Sequence, residues 1–205
     1  MSTMDTMDTM DTIETLVQRN HEFAAHRFVA GLSMRPSLHT LIISCADPRV
    51  DPVHILGLEP GEAVVLRNVG GRVTPGTLQL LSMLLQVPTG SSAPSAPASN
   101  NASAAASPFH LIVLHHTDCG ITRLASNPTL MADYFDIPPA ELPAKAIADP
   151  RAAVASDVAL LRAIPAVPSS ILVSGLVYDT ETGLIEVVVP EAPIRAEQRP
   201  EQKEE

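Results

Sequence analysis

His39-Thr-Leu-Ile-Ile-Ser44 leads directly into Cys45-Ala-Asp47-Pro-Arg49. A short, β-branched apolar run that gives way to polar residues is the pattern of a strand buried inside a parallel sheet, with a loop at its carboxyl end. Two further runs behave alike. Ala63 to Arg67 (Ala-Val-Val-Leu-Arg) is followed by Asn68 and the pair Gly70-Gly71, and Phe109 to Leu114 (Phe-His-Leu-Ile-Val-Leu) leads into His115 and His116. Helices are expected between strands. Pro75-Gly76 opens one that runs to about Gln86, and Asp149-Pro150, a capping residue with proline at the first helical position, opens another to about Ile164. Two more strands are expected at Ile171 to Tyr178 and Leu184 to Val189. The Asp179-to-Gly183 stretch between them reads as a hairpin. Strands alternating with helices imply an α/β fold: a mostly parallel central sheet flanked by helices, with an antiparallel edge strand.

Outward from this core, the sequence predicts a helix from about Thr12 to Phe28, with Ile13, Leu16 and Val17 on one face. Residues 1–11 belong to a Met-Asp-Thr repeat with too little apolar content to pack, and residues 191–205 are charged and proline-bearing. Both ends are expected to be disordered tails around one domain at 12–190. Residues 88–108 are almost wholly Ser, Ala, Pro, Asn and Gly. They read as a flexible insertion before the third strand.

The 205 residues carry 13 basic and 23 acidic side chains, a net charge of −10. That balance disfavours nucleic acid and anionic membranes as partners. Trp is absent, so a base-stacking surface is not expected. No apolar run is long enough to span a bilayer. The N-terminus has Asp5, Asp8 and Asp11 and no basic residue before Arg19, unlike a signal or transit peptide, so a cytoplasmic location is expected.

The two cysteines, Cys45 and Cys119, are both at predicted strand exits. Carboxyl ends of strands are where sites form in open α/β sheets. His116-Thr-Asp118-Cys119-Gly120 spaces an imidazole and a thiol so that one tight turn can offer both to one ion, and Cys45 adds a second thiol from another strand end. Three such donors suit Zn²⁺ and leave a fourth place. In catalytic zinc sites that place takes a water molecule whose pKa falls to about 7. Asp47 stands two residues past Cys45 and Arg49 two further on, on the same side if the stretch is extended. A guanidinium there can hold Asp47 ionised by paired hydrogen bonds, ready to accept one from bound solvent. Released from Arg49, Asp47 could instead become the fourth zinc ligand and close the site.

Plainer readings compete. The cysteines could be inert core residues or a regulatory redox pair in a non-catalytic zinc module. Asp47 and Arg49 could be a surface ion pair worth little. His115 is expected to pack or hydrogen-bond, Gly70-Gly71 to make a tight turn near the metal, and Asp118 to cap a turn or the next helix.

Cys-x-Asp-x-Arg followed much later by His-x-x-Cys, on this strand order, resembles the β-class carbonic anhydrases. The likeness runs from about Leu41 to Val189, excluding the insertion, and includes Arg67-Asn68 with the following glycines and Gly175-Leu-Val-Tyr-Asp179. The double His115-His116 is similar to a compact bacterial and fungal branch. The resemblance implies zinc ligation by Cys45, His116 and Cys119, an Asp47–Arg49 dyad, and reversible conversion of carbon dioxide and water to bicarbonate and a proton. It also implies a homodimer or dimer of dimers, with the first helix reaching across to the partner, and a backbone N–H of Gly120 that orients a substrate oxygen. Hydrolysis of carbon disulfide or carbonyl sulfide on the same scaffold is the alternative activity.

Overall fold

The structure, a computed structural model, describes residues 12–87, 108–165 and 167–194. The tail at 1–11, residues 88–107 of the insertion and residues 195–205 lie outside the described residues. The chain divides into two units, 1–32 and 33–205. The first holds helix α1, Thr12–His26, none of whose residues is buried. Its apolar stripe of Ile13, Leu16 and Val17 is more than half or about half exposed. At its end the Arg27 guanidinium lies 5.4 Å from the centre of the Phe23 ring.

The second unit is built on five strands: β1 (Thr40–Cys45), β2 (Ala63–Asn68), β3 (His110–His116), β4 (Leu172–Tyr178) and β5 (Ile185–Pro193). Their order across the sheet is β2-β1-β3-β4-β5. The first four are mutually parallel, and β5 runs antiparallel to β4 at the edge. The expected fold class is therefore the observed one. Central strand β1 is buried at every position, so its run needs no polar alternation. Leu41, Ile43, Leu111, Val113 and Val173 form the core with Val154, Val158 and Leu161 of α6, Pro150–Ala163. Each such side chain stabilises the fold by about 1.5–3 kcal/mol. Helix α6 starts as its sequence dictates, with the Asp149 carboxylate accepting from Arg151 N and Pro150 at the first helical position.

Several boundaries differ from the sequence reading. Strand β5 runs on to Pro193, and buried Ile194 anchors its end, so residues 191–194 are not tail. Pro190 and Pro193 are tolerated because an edge strand has one side free of ladder bonds. Short helices α2 (Pro52–Ile55), α4 (Ile121–Leu124) and α5 (Pro128–Phe135) and a 3₁₀ segment at Pro139–Lys145 occupy stretches where the sequence suggested no element. Helix α3, Pro75–Gln86, matches its expected span.

Candidate metal centre

Strand β1 ends on Cys45 and its neighbour β3 ends on His116. The chain leaves β1 for β2 on one side and returns to β3 on the other. The crevice between the carboxyl ends of β1 and β3 is thus the topological switch point, where open α/β sheets bind ligands. Here the donor atoms of Cys45, His116 and Cys119 all lie within 4.8 Å of one another, and all three residues are buried. The two sulfurs are 3.7 Å apart and both cysteines are free thiols. That separation is far beyond a disulfide bond of about 2.05 Å. It matches two sulfurs on a tetrahedral zinc, which bonds of about 2.3 Å place about 3.8 Å apart.

The imidazole is oriented for the same purpose. His116 Nδ1 lies 2.8 Å from the carbonyl oxygen of Thr117, which can only accept, so Nδ1 carries the proton. Nε2 is buried and has no hydrogen-bond partner among the described residues. A buried lone pair facing two thiols is costly unless a cation meets it. The thiol pair also favours one negative charge, carried on Cys45. A hydrogen bond from the Cys119 thiol, opposed by burial and helped by the His116 side chain and the Asp47 backbone N–H, draws Cys45 down to about 4, while the shared proton pushes Cys119 up. The donor set and its geometry fit a borderline-soft divalent ion.

Around this cluster the backbone is held by glycine and arginine. Gly70 and Gly71 close β2 at φ +78 and +67. A Cβ on Gly71 would sit 2.9 Å from Cys45 N, so only glycine lets this turn lie against the metal-site strand. Arg67 ties the β1 exit together, donating from Nε to Cys45 O (2.9 Å), from Nη2 to Asp47 O (2.6 Å) and from Nη1 to Asp51 (2.7 Å). Asn68 fastens the following turn to Arg72 and Thr77. His115 faces away from the donors. Its Nε2 lies 3.1 Å from Gly71 O and 3.4 Å from Asp157.

Asp47 and Arg49 are paired, but not in the extended geometry expected. Pro48–Val50 is a 3₁₀ turn with Asp47 as its cap, accepting from Arg49 N at 2.9 Å. Proline fixes the first φ of this turn, and the turn folds Arg49 back onto Asp47. Nε reaches both carboxylate oxygens at 3.1 and 3.2 Å and Nη2 reaches Oδ2 at 2.7 Å. These bonds hold the Asp47 carboxyl down at about 2. The other edge of Arg49 is taken by Asp118: Nη1 donates to Oδ2 at 2.8 Å and Nη2 to the carbonyl at 3.0 Å. Asp118 therefore caps no helix. Gly120 precedes α4, with no side-chain cap there. Gly120 itself is exposed beside Cys119, with open space over its Cα. A cavity of about 60 Å³, lined by Gly70, His116, Asp118, Cys119, Ile121 and Thr122 among others, adjoins the Cys119 thiol. It has room for a few waters or one small substrate.

One cluster escapes the sequence reading. Arg72, fully buried, donates from Nε to Asp157 at 2.7 Å and from Nη2 to the Lys145 carbonyl at 2.7 Å, and packs on Phe135. A signal does exist: Asp157 falls on the same helical face as Val154, Val158 and Leu161, where a charge demands a buried partner.

Two thiols and an imidazole converging at the switch point of a mixed α/β sheet define a candidate Cys₂His metal site. The carbonic anhydrase family model matches residues 40–136. β-Carbonic anhydrase 1 of Mycobacterium tuberculosis is 29% identical over 168 residues, which cover 81% of this chain and 91% of that one. The carbonic anhydrase structure from Streptococcus mutans superposes with a TM-score of 0.63 at 28% identity, covering 87% of this chain and 98% of that one. The carbon disulfide hydrolase of Acidianus sp. is 27% identical, covering 69% of this chain and 72% of its own. The chain belongs to the β-carbonic anhydrase family of enzymes. Among the described residues no helix is long and apolar enough to cross a membrane.

Proposed function

We propose that this chain holds one zinc ion through Cys45, His116 and Cys119 and catalyses the reversible hydration of carbon dioxide to bicarbonate and a proton. The observation that carries this reading is the convergence of the three donors, with sulfurs 3.7 Å apart and an unpartnered Nε2 between strand ends. Zinc held there would act as a Lewis acid, lowering the pKa of a water molecule to about 7. Cys45 and Cys119 bring the negative charge that balances the ion. The Thr117 carbonyl fixes the His116 tautomer, so that Nε2 is the ligating atom. Asp47, kept ionised by Arg49, accepts a hydrogen bond from the attacking solvent and so aims an oxygen lone pair at the substrate carbon. Freed from Arg49, the same carboxylate would serve as a fourth ligand and shut the site. The open space at Gly120 supports a backbone N–H there as the group that orients a substrate oxygen.

The uncovered apolar stripe of α1 and the half-buried edge strand β2 support assembly as a homodimer or dimer of dimers. The two free thiols support a reducing, cytoplasmic setting.

Stopped-flow hydration measured beside zinc stoichiometry tests the proposal. Wild-type protein is expected to carry one zinc per chain and to hydrate carbon dioxide. Cys45→Ser and His116→Ala are expected to lose both. Full zinc occupancy in either variant would contradict the ligand set. The likeness to the Acidianus enzyme gives carbon disulfide hydrolysis as a second reading. Sulfide release from carbon disulfide without hydration of carbon dioxide would select it.

A further inference from the structure

The structure assigns to Asp118 a positioning role: it anchors the Arg49 guanidinium so that the opposite edge faces Asp47. This role deepens the proposed function of Asp47 and Arg49 and rests on it. The Arg49 side chain is 51% exposed, so burial alone does not fix it, and an exposed arginine keeps much of its rotamer freedom. Its three nitrogens are divided between two aspartates. Nε and Nη2 serve Asp47, and Nη1 and Nη2 serve the side chain and carbonyl of Asp118.

Asp118 is well placed for this. It lies between two of the three metal-site residues, in the turn that sets their spacing. It adopts φ +51, a conformation aspartate tolerates better than most residues. Arg49 therefore links the loop after β1 to the loop after β3. With Asp47 as sole partner, the guanidinium could follow that carboxylate wherever it moved. Held by Asp118, it stays in place, and Asp47 has a fixed edge to leave and rejoin. Asp118 is not one of the three clustered donors, and its side chain hydrogen-bonds to Arg49.

Two variants separate anchoring from turn geometry. Asp118→Gly removes the side chain at a backbone angle glycine favours, and Asp118→Asn keeps an oxygen for Nη1 and tolerates the same angle. The first readout is the ¹⁵Nε–¹H heteronuclear NOE of Arg49 in zinc-loaded protein. It should fall in Asp118→Gly and recover in Asp118→Asn. The second is kinetic. Asp118→Gly should lower kcat for carbon dioxide about three- to tenfold with KM and zinc content unchanged. Asp118→Asn should lie within about twofold of wild type. In an Arg49→Ala background, Asp118→Gly should add nothing. An Arg49 NOE unchanged in Asp118→Gly would overturn the role. So would an equal kcat loss in the Arg49→Ala background, or an Asp118→Asn variant as slow as Asp118→Gly. If wild-type protein did not hydrate carbon dioxide, the proposed function would fall, and the Arg49 NOE would still decide the anchor.

Discussion

Of the arginine–aspartate pairs around the candidate metal site, Arg72–Asp157 and Arg49–Asp47 are alike in chemistry and opposite in surroundings. Arg72 and Asp157 are each 1% exposed in their side chains, whereas Arg49 and Asp47 are 51% and 15% exposed. The buried pair joins α6 to the turn after β2. Asp157 also accepts from Val73 N and lies near His115, the residue before ligand candidate His116. The exposed pair spans only two residues and shares its guanidinium with Asp118. Solvent makes the difference: a buried pair cannot be parted without stranding a charge, and an exposed one exchanges partners cheaply. The first suits holding the scaffold of the site, and the second suits moving within it.

The contrast can be broken most forcefully at Asp157. Asp157→Ala leaves Arg72 buried without its carboxylate and is expected to destabilise the protein by about 3–5 kcal/mol. In thermal unfolding this is a fall in Tm on the order of 10 °C. Replacing both partners with apolar residues, Arg72→Met with Asp157→Leu, should recover most of that loss. A single variant with wild-type Tm would show that the buried pair is dispensable.

At the exposed pair the effect should move from stability to rate. Asp47→Ala is expected to keep its zinc and its Tm while hydration slows roughly 100-fold. Wild-type turnover in that variant would remove Asp47 from the chemistry.

Acid sharpens the same comparison by a smaller effect. Burial opposes the charge of Asp157, but hydrogen bonds from His115 and Arg72 outweigh it and hold its carboxyl below the ordinary value. The folded state thus binds this proton more weakly than the unfolded chain. The stabilisation is present above the ordinary carboxylate range, near pH 4, and is lost as pH falls below it. Asp157→Asn should flatten the decline of stability between neutral and acid pH. An unchanged slope in Asp157→Asn would show that this buried carboxylate does not shape the acid limb.

Much of this site could be read before any coordinates. Cys45, His116 and Cys119 follow strands whose apolar runs are long enough to recognise, so sequence order alone put them at one sheet edge. The Asp149-Pro150 start of α6 was equally legible, since capping is a local matter. Contacts between distant residues were not. Arg49 and Asp118 are 69 residues apart, and nothing in either motif announces that they touch. The short helices between Ile121 and Phe135 complete too few turns for a helical period to emerge. The end of β5 was obscured by Pro190 and Pro193, which argue against a central strand and are harmless at an edge.

The central claim, that two thiolates and one imidazole share a single ion, is tested most directly by X-ray absorption at the zinc edge of the purified protein. The account predicts two sulfur scatterers at about 2.3 Å with nitrogen or oxygen at about 2.0–2.1 Å completing four neighbours. A zinc shell without sulfur, or protein that takes up no zinc while its two cysteines remain reduced, would contradict it.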